Sequence, residues 1–131
     1  MSVESTSVIP HEAEVSAEQR VREALLVELT PESARSLATE YFAEQYSIFE
    51  RRFVALRHIV PSDVVEVWDA KAQWFARMND SIASGDLIPL KHHMLEQGMR
   101  ANRAAHEKGE YSPFGNALYT IGARMAPTAQ K

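Results

Sequence analysis

The sequence predicts an all-α protein, an irregular bundle of four main helices and a short C-terminal one around a single long helix. Three observations carry this. Apolar residues recur at steps of three and four through most of the chain, without the strict alternation of a half-buried strand. Helix-starting and helix-stopping residues fall between these periodic stretches. One stretch, residues 31–60, runs without an internal Gly or Pro.

That stretch organises the rest. Thr30 offers a capping hydroxyl, Pro31 sits where no N–H donor is needed, and Glu32 suits the positive helix end. Phe42, Tyr46, Phe49, Phe53, Leu56 and Val60 fall within an arc of roughly 80° at ~100° per residue. Ala38 widens it. Leu37, Tyr41, Ile48, Ala55 and Ile59 form a second apolar row, and Glu40, Glu44, Ser47, Glu50, Arg51 and His58 take the opposite, polar face. A helix over 31–60 is on the order of 45 Å long.

The elements around it follow in order. Residues 1–15 are polar apart from isolated apolar positions and lack periodicity, so they read as a flexible tail. Ser16 to Gln19 spells a capping box that opens a first helix to about Leu29, with Val21, Ala24, Leu25 and Leu29 inward and Glu18 paired with Arg22. Ser62 is placed as N-cap of a third helix whose stripe is Val64, Trp68, Phe75, Met78 and Ile82. Lys71 interrupts that stripe; the expected arrangement lays its stem along Trp68 and Phe75 with the ammonium in water, the alternative being burial against a carboxylate of the long helix such as Glu50. Gly85 ends this helix and Asp86 caps a fourth, which runs to Gly109. Gly98, Ala101 and Ala105 make its inner face small, which predicts close approach of another helix, one bearing Phe49, Phe53 or Trp68. Ser112-Pro113 opens a short last helix with Phe114, Leu118, Ile121 and Met125 on one side; Gly115 and Gly122 weaken it, so it forms only when docked. The chain therefore reads as one helical domain over 16–125 between flexible tails at 1–15 and 126–131.

Composition narrows function mostly by exclusion. A net charge of −4 gives no electrostatic reason to expect nucleic acid or an anionic membrane. Absence of Cys removes disulfides, thiolate metal sites and cysteine nucleophiles. No apolar run reaches the ~20 residues of a membrane span, and the first residues lack a secretory pattern, so the expected compartment is the cytoplasm. No phosphate-binding glycine loop occurs and no cofactor is indicated.

Three functional readings are left. In the first, the second row of the long helix, Tyr41, Ile48, Ala55 and Ile59 with Arg52 at its rim, exceeds what one short chain can cover, so a partner protein lies against it. The protein is then a non-enzymatic interaction, adaptor or assembly protein, and a homo-oligomer is the simplest case. In the second, Arg100 and Arg103, with Lys91 and Lys108 at the ends, form a basic ridge beside a last helix carrying Arg124, which suits a DNA-associated regulator. In the third, His92, His93 and Glu96 hold a metal in a bundle enzyme. The third is the weakest: none of Glu40, Glu44, Glu50, Glu66 and Glu96 is followed by His three residues on. Glu96 also belongs to a solvated face with Arg100 and Arg103.

Overall fold

The computed structural model describes residues 16–128; the predicted tail at 1–15 lies outside them. Helix α1 spans Ala17–Arg22, followed by a 3-10 turn over Ala24–Leu26. Helices α2 (Pro31–Leu56), α3 (Ser62–Ala83), α4 (Ile88–Glu107) and α5 (Pro113–Arg124) complete an all-α bundle.

The long helix starts as its sequence dictates. The Thr30 hydroxyl accepts from the Ser33 N–H at 3.0 Å, and the Ser33 hydroxyl accepts from the Thr30 N–H at 2.9 Å. It stops at Leu56, four residues short of the predicted end. The N–H groups of Ile59 and Val60 both turn back to the Leu56 carbonyl, because Pro61 disfavours helical geometry in the residue before it. Pro61, not Ser62, occupies the N-cap of α3. Gly85 and Gly109 end α3 and α4 at φ +89° and +71°, a conformation that only glycine adopts cheaply.

One prediction fails at the N-terminal end: the first helix breaks after Arg22, and in the 3-10 turn that follows Ala24 is buried while Leu25 points outward. At the other end the Leu87 N–H donates to the Pro127 carbonyl at 2.9 Å, and Thr128 bridges to Asp86. This segment satisfies a backbone donor at the start of α4, where the Asp86 carboxylate, as predicted, also accepts from the Ile88 N–H at 3.1 Å.

The core joins Ala34, Ala38 and Phe42 of α2 to Phe75 and Met78 of α3, to Leu90 and Met94 of α4, and to Ala117, Leu118 and Ile121 of α5. Helices α4 and α5 pack closest. A Cβ added at Gly98 would lie 2.6 Å from the Tyr119 nitrogen and 2.7 Å from the Gly115 carbonyl oxygen. The small face of α4 thus exists for α5, not for the aromatics of α2 and α3. This contact also offsets the poor helix propensity of α5.

Charged residues of α2 fix α1. Glu44, predicted on the polar face, accepts from the N–H groups of Ala17 and Glu18 at 3.0 and 2.9 Å and caps α1 from outside. Arg20 of α1 pairs with Glu40.

Candidate functional site

Burial changes abruptly along the α2–α3 hairpin. Between Phe42 and Phe75 no residue is buried. The outer half of the hairpin is an arm only two helices thick, in which Phe49 stacks on Phe53 at 5.7 Å between ring centroids and Phe53 meets Trp68 at 6.1 Å. At its base, Phe42, Phe75 and Trp74 close into one aromatic cluster with His93 of α4.

One face of this arm holds a cleft of about 230 Å³, floored by Phe49, Phe53, Trp68 and Phe75 and bordered by Ile48, Arg52 and Lys71. Beyond it the surface stays apolar. Ile59 is 75% exposed and Val67 66%. Val67 precedes Lys71 by four residues, so both stand on the same side of α3. Val54, 64% exposed, belongs to the other side of the arm, about 100–120° around α2 from Ala55 and Ile48.

The predicted second row is therefore divided. Tyr41 is covered by α5, its ring 6.2 Å from Phe114, with Arg22 over the same Phe114 ring at 4.4 Å. Burial, with the carboxylates of Glu18 and Glu44 nearby, raises the Tyr41 phenol above its ordinary value despite the opposing charge of Arg22. Ile48 is half-buried; Arg52, Ala55 and Ile59 are open. The buried core of the bundle ends at Phe42, well before the row does.

Polar partners separate this face from the other exposed apolar region. Around the 3-10 turn, Leu26 is 82% exposed beside a cleft of about 460 Å³. Most polar groups there already satisfy one another: Arg20 with Glu40, Glu23 with Gln19, and Ser33 with Thr30. On the arm, Lys71 lies 5.8 Å from the centre of the Phe49 ring. Its stem follows the apolar stripe while its ammonium stays exposed, away from Glu50, which instead accepts from the Tyr46 hydroxyl at 3.2 Å. That bond raises the Tyr46 phenol. Arg52, Lys71, Asp63 and Glu66 make no ion pair among the described residues.

The members of the basic ridge meet different surroundings in the folded chain. Arg103 and Arg124 are exposed, but Arg100 is bonded to Glu96 at 3.0 Å. Lys91 is turned inward, donating to carbonyls at the end of α5. The Asn116 amide of α5 donates to the Tyr111 hydroxyl.

The metal candidates also diverge. His92 is exposed, whereas His93 is half-buried with its ring 5.0 Å from Trp74 and 5.9 Å from Phe42. Burial lowers the His93 pKa; Glu96 works against this, and Arg100 and Lys71 reinforce it. In the sequence, adjacent histidines beside a carboxylate read as ligands, and nothing local marks His93 for aromatic packing. The 100° between neighbouring residues sends the two imidazoles to different surroundings. Among the described residues, no three His, Asp or Glu side chains converge as metal ligands, and no helix is long and apolar enough to cross a membrane. No family model matches the chain, and no curated protein or solved structure is significantly similar to it.

Proposed function

We propose that the chain is a non-enzymatic interaction protein that docks a partner protein on the cleft face of the α2–α3 arm. The supporting observation is an aromatic cleft edged by Arg52 and Lys71 on an arm whose apolar residues Val67, one turn from Lys71, and Ile59, near the tip, are left exposed. Water against such a surface is unfavourable by about 25 cal/mol per Å² of apolar area, so a partner that covers it gains free energy. Aromatic residues with Arg are the composition that interface cores favour. Two helices fixed at the base by Phe42 and Phe75 present the face with little ordering cost on binding.

A photo-crosslinking residue placed at Ile59 tests this in an extract of the source cells, with His106 as an exposed control position. A discrete protein adduct from position 59, lost when Val67→Asp is added, is the expected result. No adduct above the control overturns the reading.

A further inference from the structure

We infer that the cleft face takes a second copy of this chain, with the two arms lying antiparallel about a two-fold axis. This rests on the arm being the docking surface and deepens that reading by naming the occupant.

The argument is charge complementarity along one stripe. On α3, Asp63, Val67 and Lys71 follow one another at steps of four, so they lie on one side at intervals of ~6 Å. All three are exposed. Read from the core outward the stripe is cation, apolar, anion. Read from the tip inward it is anion, apolar, cation. An antiparallel copy centred on Val67 therefore sets each Lys71 against the Asp63 of the second chain and Val67 against Val67. Lys71 and Asp63 are ~12 Å apart within one chain, too far to pair with each other. Arg52 lies beside Lys71 at the same cleft and adds to the positive end. A parallel arrangement would oppose like charges at both ends.

Symmetry fits as well. A two-fold interface requires one patch to be complementary to itself, and this stripe is. On α2, Ile48 and Ala55 stand seven residues apart on one face, so the α2 edge of the interface is apolar as well. The core domains then lie at opposite ends of the paired arms. The face is about 20 Å wide and the stripe ~12 Å from Lys71 to Asp63, on the order of 240 Å² in projection. That is small beside the ~800 Å² per partner of a standard interface. Association is therefore sought at tens to hundreds of micromolar.

Sedimentation equilibrium of the full chain from 10 to 500 μM is the test, expected to show the mass rising toward twice that of the monomer. Lys71→Glu alone and Asp63→Lys alone each weaken self-association at least tenfold. An equimolar mixture of the two variants restores it, as does the chain carrying both substitutions, because both contacts are then opposite in sign again. Circular dichroism confirms that each variant stays folded. A wild-type chain still monomeric at 500 μM overturns the inference, as do single variants that associate like wild type or a mixture that fails to recover. The wider reading of a docking face survives such a failure if position 59 crosslinks to a different protein.

Discussion

The ammonium of Lys91 on α4 donates to the carbonyl oxygen of Gly122 on α5 at 2.7 Å, and also to those of Ala123 and Met125 at 3.1 and 3.0 Å. One cation thus takes up carbonyls that the end of α5 leaves without intrahelical donors, at the negative end of the helix dipole. Lys91→Met keeps most of the apolar stem and removes the donors. Hydrogen bonds from a charged group contribute about 1.5–3 kcal/mol, so the variant should lose about 2 kcal/mol in urea unfolding. A loss under 0.5 kcal/mol would show that water replaces the ammonium without penalty.

Gly98 tests the α4–α5 contact in the opposite direction. By helix propensity alone, Gly98→Ala stabilises by ~1 kcal/mol. Here the added methyl meets backbone atoms of Gly115 and Tyr119 that cannot swing away. Overpacking of this kind costs ~1–3 kcal/mol, and the separation of the two helices loses further core contacts. Thermal unfolding should show a lower midpoint for the variant. A higher one would mean the helices part without loss.

The pH dependence of stability should carry the mark of His93. Burial lowers its folded pKa, while in the unfolded chain it titrates near the ordinary value of about 6.5. Between those two values the unfolded state binds more protons, so stability rises with pH there. The stability is fully present above about pH 6.5 and is lost as pH falls through the folded pKa. His93→Phe, which suits the ring contacts with Trp74 and Phe42, should flatten the stability profile in that window. Denaturant titrations at pH 7.5, 6.5, 5.5 and 4.5 would show it, and an unchanged slope would exclude His93 as its source.

The bundle was legible in the sequence because its signals are local. Thr30, Ser16, Gly85 and Gly109 mark their helix ends through a hydroxyl or a positive φ, and the apolar spacing of α2 and α3 places Phe42 and Phe75 inward. What escaped is what depends on the third dimension. Gly98 announced a close neighbour but not which one. Glu44 reads as a solvent-facing acid until α1 is laid across it, and Lys91 reads as part of a basic ridge until α5 ends beside it. The second apolar row was visible as a row. Its division at about Ile48 was not, because periodicity shows which face is apolar and not where the neighbouring helices stop.

That division gives the last prediction, which separates docking from folding. Ile59 touches little of its own chain, being 75% exposed at the end of the arm. An apolar side chain that folding leaves in water contributes almost nothing to stability, and surface substitutions of this kind usually fall within ±0.5 kcal/mol. Ile59→Asp should therefore leave the urea midpoint almost where it was while abolishing any association through the arm. Phe42→Ala, by contrast, opens a cavity among Phe75, Trp74 and His93 and should cost about 3–5 kcal/mol. If Ile59→Asp destabilised the isolated monomer as severely as Phe42→Ala, Ile59 would be part of the core and the docking face would not include it.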